Sequence, residues 1–546
     1  MSDLYDIGTG RQRAFWADAV ADQIEERNPE EPIIIKGGVS PSGVPHLGHF
    51  NEIMRGYFVA EALRDRGHEV RQVFTTDDKD RLRKLPRKLA DLEWNVVGLG
   101  DVDAGALGRN LGKPYTDIPD PFGCCDSYGD HFTELLRRSA EAVGVPIDVV
   151  SNTDLYESGE FDDAVRHVLE HRDRACEVLS EFQDKVDEDY VPFFAQCSQC
   201  GNLTETITGI DLDAETVEYV CEDVQAGDDT IEGCGHEGTA TFREGKLPWR
   251  FEWPAQWLTL GVDFEPFGKD HAEGSWPSGE TIAREVFEFE PPVPMVYEWF
   301  TLNGDALSSS AGNIITVEEV LELLEVPVLR YFFTKNPKKQ RDFSVHDIDR
   351  LVDEFDRFER VYYGTADAVD EDERERSERA YPMVVDEVGE TPPVRIPYTF
   401  AAVLGMTDNR DLRVQMARRS GHLPEDATDA ELEAALARVE KARAWAERTD
   451  NEFNYRLAEE LPDVDFDDGV EAALDDLAAF IEADSPDAET LQGEIYETAK
   501  RNDIEVGDFF EAGYRLFLDE SQGPRLGPFL APMDEAFVKR RLRREA

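Results

Sequence analysis

The sequence predicts an α/β fold: a doubly wound parallel-sheet, nucleotide-binding domain interrupted by a cysteine-bearing insertion and followed by an all-α C-terminal domain. Three observations carry this. The stretch "EPIIIKGGVSPSGVPHLGHFNEIMRGYFVAEALRDRGHEVRQVFTTDD" reads as buried strand, Gly/Pro-rich turn, helix and a second strand ending in acids, the opening of a sheet whose ligands sit at strand carboxyl ends. From about residue 150 the pattern changes to helical "FDDAVRHVLEHRDRACEVLSEF" and then to a β-rich segment with four cysteines. Near the end, "ELEAALARVEKARAWAERTD", "GVEAALDDLAAFIEA" and "LQGEIYETAKRN" combine helical periodicity with strong helix formers.

In chain order, an amphipathic segment, "RQRAFWADAVADQIEE", precedes the first strand, and residues 1–150 form the first half of the nucleotide fold. Residues 151–245 are the insertion. Residues 246–325 are the second half, with "PMVYEWFTLNG" as a strand and the loop "GDALSSSAGN" after it. Residues 326–365 connect to the helical portion, 366–546, which opens on the acidic run "ADAVDEDERERSERA", expected to be a solvated linker or helix face.

Composition narrows the function. A length of 546 residues calls for roughly three or four domains. With 41% hydrophobic and 10% aromatic residues, the chain buries real cores and is not disordered. Its net charge of −61, from 118 acidic and 57 basic residues, far exceeds what solubility needs. Roughly a quarter of the basic residues are lysine, and an acidic, lysine-poor surface fits a protein of molar salt, where screening removes self-repulsion. Basic character is confined to "RLRKLPRK" (81–88), "KNPKKQR" (335–341) and "KRRLRR" (539–544). The polar start and the lack of a long apolar run predict a cytoplasmic protein away from membranes. Seven clustered cysteines then suggest metal binding before disulfides.

Two motifs carry chemistry. In "PSGVPHLGHF", Pro41, Gly43 and Gly48 allow close backbone approach, and His46 and His49 sit on one side of a helix start, where imidazole donors can meet phosphate. Cys197 and Cys200 form a C-x-x-C knuckle that Cys221 and Cys234 can close as a structural zinc site, with His236 as a possible substitute for one sulfur. Cys124, Cys125 and Cys176 are expected to be ordinary small hydrophobes.

The His-x-Gly-His pattern resembles the first signature of class I aminoacyl-tRNA synthetases. The blocks "GGVSPSGVPHLGHFNE", "DDKDRLRKLP", "LGKPYTDIPDPFG", "WRFEWPAQW", "VDFEPFGKDH" and "GPRLGPFL", in order along nearly the whole chain, narrow the resemblance to class I lysyl-tRNA synthetases, found mainly in archaea. The resemblance implies ligation of L-lysine to its tRNA through a lysyl-adenylate, with ATP and Mg2+, and anticodon reading by the helical domain. It also implies a lysine pocket of Gly38, Ser40, Trp249, His271 and Tyr297. Asp77 or Asp78 is expected to face the ammonium, and Gly268, Asp270 and His271 the adenosine. A monomer is the simplest expectation.

The family's second signature, Lys-Met-Ser-x-Ser-Lys-Gly-Asn, aligns with 306–313. Ser308, Ser310, Gly312 and Asn313 match, with the serines expected to act in catalysis and Gly312 and Asn313 to touch ATP, whereas Ala306 and Ala311 replace both lysines and Leu307 the methionine. Three explanations stay open: K+ or Mg2+ replaces the ammonium groups, a basic residue enters from elsewhere, or the chain is a silent tRNA-binding relative. A class I synthetase for another amino acid, such as glutamate, is the remaining alternative.

Overall fold

The computed structural model of the chain describes residues 13–545 apart from 185, 187–188, 227–228, 308–311 and 485. These residues divide into two units, one of Met1–Glu319, Arg330–Ser344 and Asp370–Asp386, the other of Val320–Leu329, Val345–Val369 and Glu387–Ala546.

The first unit is built on α1 (Trp16–Glu26), β1 (Ile33–Val39), α2 (Leu47–Arg64), β2 (Val70–Thr76), α3 (Tyr128–Ala142), β3 (Asp148–Ser151), α4 (Trp249–Leu260), β4 (Phe264–Gly268), α5 (Ser275–Glu285) and β5 (Val293–Tyr297). The five strands form one parallel sheet in the order β3-β2-β1-β4-β5. Ile33, Ile34 and Ile35 explain the central place of β1, because a β-branched run with no polar alternation suits a strand covered on both faces. The strand order reverses at β1, which opens a crevice beyond the carboxyl ends of β1 and β4.

Two buried charge networks fix this region. On β4, Glu265 accepts from Lys36 Nζ of β1 at 2.8 Å, from Trp253 Nε1 of α4 at 2.9 Å, and from Trp257 Nε1 one turn further on. In the second network, Lys246 at the end of the insertion donates to Glu252 of α4 at 2.7 Å and to Asp80 beyond β2. Tyr156 completes it, donating to Glu252 at 2.8 Å while accepting from Leu247 N–H at 2.8 Å.

The insertion opens with helices Asn152–Ser158, Asp162–Glu170 and Arg172–Ser180 and continues in two three-stranded sheets. One sheet joins Phe194–Gln196, Leu203–Thr204 and Gly245–Lys246, and the other Thr206–Asp211, Thr216–Val220 and Glu237–Thr241.

The stretch "PMVYEWFTLNG" is two strands, not one. β5 ends at Tyr297, Glu298 N–H is drawn to the Pro337 carbonyl at 2.8 Å, and Phe300–Leu302 pairs instead with Arg341–Phe343 and Asp305–Ala306. The acidic run forms a helix, Glu371–Val384, capped by Asp370. This helix packs in the first unit, where Arg379 donates to both Asp18 oxygens at 2.9 Å and to Asp65 at 3.0 Å.

The second unit is helical. Its longest helix, Asp429–Thr449, carries buried Arg438, which donates to both Asp356 oxygens at 2.7 and 2.9 Å and to Glu325 at 2.5 Å. In the basic stretch 539–544, Arg541 is buried and spends its guanidinium on the carbonyls of Ala458, Glu459 and Glu460. No described helix is long and apolar enough to cross a membrane.

Lys36→Met leaves the Glu265 carboxylate buried without its cation and should cost about 3–5 kcal/mol. Lys36→Met with Glu265→Gln should recover part of that loss. Urea denaturation in molar KCl followed by tryptophan emission reads the first unit, which holds seven of the eight tryptophans.

Candidate active site

The crevice beyond β1 and β4 is a cleft of about 740 Å³. Most of the candidate residues meet there: Gly38, Ser40, His46, Gly48, His49, Asp77, Trp249, Gly268, Asp270, His271 and Tyr297 all line it. Pro41 and Gly43 do not, and border a small recess behind His49.

The two histidines are fixed by the start of α2. His46 caps the helix, its Nδ1 accepting from Gly48 N–H at 3.0 Å, while His49 Nδ1 accepts from His46 N–H at 3.3 Å. The rings stack with centroids 3.9 Å apart. With both Nδ1 atoms accepting, each neutral ring carries its proton on Nε2 and can donate from there. Desolvation by the enclosing protein holds His49 down to about 4 and His46 well below the usual imidazole value, the second ring adding to the effect on His46. The pair therefore offers neutral donors, not charges, at neutral pH. A glycine is needed between them, because a Cβ on Gly48 would lie 2.7 Å from His46 Cε1 and 3.7 Å from Leu307.

The aromatic wall of the cleft comes from Trp249, stacked on Trp253 with centroids 5.3 Å apart, and from Tyr297. Trp253 and Trp257 are core residues. Between Gly38 and Tyr297 stands a carboxyl that the sequence reading missed. Glu52, one turn after His49 on α2, accepts from Gly38 N–H at 2.7 Å and from Tyr297 Oη at 2.9 Å. Desolvation pushes it up to about 8. The signal was an acid at i+3 from a histidine on an otherwise apolar helix face.

Asp77 and Asp78 part company. Asp77 faces the cleft but is held by Asn152 Nδ2 at 2.9 Å and Gln256 Nε2 at 3.0 Å. Asp78 turns away to accept from Thr153 N–H at 2.8 Å and Thr76 Oγ1 at 3.1 Å, so it cannot face a ligand in the cleft. Asp80, two residues further on, also lines the cleft. Asp270 presents a half-exposed carboxylate beside Gly268, where a Cβ would meet it at 2.5 Å.

Leu47 N–H at the start of α2 donates to the Ile315 carbonyl at 2.9 Å, and Ala306 and Leu307 line the cleft. Asn313 Nδ2 closes the base of the loop on the Ala306 carbonyl at 2.9 Å. Gly312, at φ 81°, takes a left-handed conformation suited to glycine, and its carbonyl accepts from Lys88 Nζ at 3.0 Å. Gly312 and Asn313 thus shape the loop's end and do not line the cleft. Ser308, Ser310 and Ala311 lie outside the described residues.

The sulfurs of Cys197, Cys200, Cys221 and Cys234 all lie within 4.8 Å of one another, with Cys197 to Cys234 and Cys200 to Cys221 at 3.6 Å. Four sulfurs around one zinc stand roughly 3.8 Å apart, so the set fits that metal. Against the push of burial, N–H groups of Cys200 and Gln199 bring the Cys197 thiol down to about 7. His236 is outside the set, its Nε2 3.2 Å from Ser198 Oγ. Cys124 and Cys125, expected as small hydrophobes, gather with Asp120 and His131 in a second group with ligand atoms within 4.8 Å of one another. His131 Nε2 donates to the Ala90 carbonyl at 2.8 Å, and its Nδ1 faces both Asp120 Oδ1 at 3.2 Å and Cys124 Sγ at 3.3 Å.

The family model for class I tRNA synthetases (K) matches residues 14–385. Over its full length the chain is 79% identical to a lysine–tRNA ligase of Natronomonas pharaonis, covering 100% of both chains. It is 69% identical to one of Haloarcula marismortui, covering 99% of each, and 33% identical to one of Pyrococcus horikoshii, covering 97% of this chain and 99% of that one.

A histidine-resolved NMR titration should show the His49 ring unprotonated from pH 8 down to pH 5, with its midpoint at about 4. A midpoint near the ordinary value of about 6.5 would mean the ring is charged well into the working range.

Proposed function

The chain belongs to the class I tRNA synthetases (K), and on that premise we propose how its cleft works. The activity is ATP-dependent ligation of L-lysine to tRNA through lysyl-adenylate, with release of AMP and pyrophosphate, in protein synthesis. Full-length identity to lysine–tRNA ligases disfavours both a synthetase for another amino acid, such as glutamate, and a silent paralogue. The halophile relatives agree with the acidic composition.

The reading of the pocket rests on Glu52. Lysine needs apolar walls for its methylenes and an acceptor for its ammonium, and Trp249, Tyr297 and Glu52 offer these in one place, with Gly38, Ser40 and His271 beside them. Glu52 thus takes the role expected of Asp77 or Asp78. Asp270 accepts from the ribose hydroxyls next to Gly268, and the Nε2–H groups of His46 and His49 stabilise charge developing on the α-phosphate. Mg2+ travels with ATP, and K+ beside the serine loop is a further proposed counter-charge. The helical unit reads the anticodon, and a cytoplasmic monomer is the proposed state.

Both ligand groups are proposed structural zinc sites, Cys197, Cys200, Cys221 and Cys234 forming one and Asp120, Cys124, Cys125 and His131 the other. Protein purified in molar KCl should carry about two zinc ions per chain by elemental analysis. Cys234→Ser and His131→Ala should each lose one. Retention of both ions in either variant would remove that residue from the ligand set.

ATP–pyrophosphate exchange in molar KCl with Mg2+, with and without tRNA, should depend on lysine and on no other amino acid. Replacing KCl by tetramethylammonium chloride at equal ionic strength separates a K+ site from screening. Glu52→Gln should raise the lysine KM by about 10²-fold or more while sparing that of ATP. Because bound ammonium pulls a proton off Glu52, lysine affinity should weaken as pH falls below about 8, and the variant should flatten this dependence. Calorimetry in buffers of different ionisation enthalpy counts the released proton.

A further inference from the structure

Activation places the most highly charged group of the reaction, a triphosphate, in a cleft walled by the carboxyl groups of Glu52, Asp77, Asp80 and Asp270. The two imidazoles are neutral there, and Ala306 stands where the family's signature has lysine. Among the described residues lining the cleft, one lysine or arginine is present, Arg83.

The segment that carries Arg83 is fastened on both sides. Arg81 is buried against the Phe194 ring, its guanidinium 4.9 Å from the centroid, and pairs with Glu205 at 3.0 Å. Leu82 is buried and its N–H donates to the Lys113 carbonyl at 2.9 Å. Lys88 is held by the Gly312 carbonyl at the end of the signature loop. Between these anchors Arg83 is exposed, and among the described residues no hydrogen bond or ion pair engages its guanidinium. Elsewhere in this acidic chain arginines such as Arg66, Arg379 and Arg438 are spent on carboxylates. A guanidinium at the cleft, between anchored neighbours and acting on Asp80 only through its field, is suited to a fork of hydrogen bonds to phosphate oxygens.

We propose that Arg83 is the cation that receives the β- and γ-phosphate charge which Ala306 cannot neutralise. The proposal rests on the lysine-activating reading above. In the step it serves, a lysine carboxylate oxygen forms a bond to the α-phosphorus, and the bond from that phosphorus to the α–β bridging oxygen breaks. The electron pair leaves on pyrophosphate, and no proton moves. Arg83 donates to the departing oxygens as their charge grows.

Lysine-dependent ATP–pyrophosphate exchange in molar KCl with Mg2+ tests this on the full chain. Arg83→Ala should lower kcat by about 10²- to 10³-fold and raise the KM for pyrophosphate, with the lysine KM and the thermal midpoint unchanged. Arg83→Lys should recover part of the rate, and so should Ala306→Lys added to Arg83→Ala, because each returns a positive charge to the cleft. Exchange by Arg83→Ala within about threefold of the unaltered chain would overturn the proposal and leave the lysine reading standing, as would equal worsening of the lysine and pyrophosphate KM values, the mark of a packing role. Absence of lysine-dependent exchange in the unaltered chain would overturn both.

Discussion

One buried carboxylate, Glu265, sets where the walls of the cleft stand. It is reached by Lys36 from β1 and by two tryptophans from α4, so a strand, its neighbour and a helix share one anchor. Each wall lies a short step from a group in that cluster. Gly38 is two residues beyond Lys36 on the same face of β1, Trp249 is one helical turn before Trp253, and Gly268 is three residues after Glu265. Buried pairs add little net stability over well-packed apolar residues, but they penalise any shift in register that would separate the partners. Here that penalty falls on positions that must be accurate to a fraction of an ångström.

The parts legible in the sequence were those encoded locally. The three isoleucines, the glycine-rich turn and the helix start bearing His46 and His49 each announce themselves within a few residues, and the four knuckle cysteines do so by their chemistry. What stayed hidden depends on long-range packing. Asp77 and Asp78 are neighbours of equal propensity, and only their surroundings, the side chains of Asn152 and Gln256 for one and Thr153 N–H with Thr76 for the other, decide which sees the cleft. Glu52 was masked by the many acids of the chain. Cys124 and Cys125 became candidate ligands because His131, one turn into α3, has its far nitrogen claimed by the distant Ala90 carbonyl and turns the near one toward them. The strand before the serine loop broke at Glu298, where the Pro337 carbonyl outcompetes continuation of the sheet.

The charge of the chain is distributed by depth. Its excess acids are largely at the surface, whereas several of its bases, Lys36, Lys246, Arg330 and Arg438 among them, are buried and hold elements together. In molar salt the surface repulsion is screened while the interior pairs are not. Counterion release is then a weak drive for binding nucleic acid.

The ends of the serine loop are held through main-chain carbonyls: that of Ala306 by Asn313, and that of Gly312 by Lys88. Neither tie asks anything of the side chain at position 306. A lysine and an alanine at that position would therefore leave the two ends of the loop tied in the same way, so its anchoring and its charge are set by separate residues.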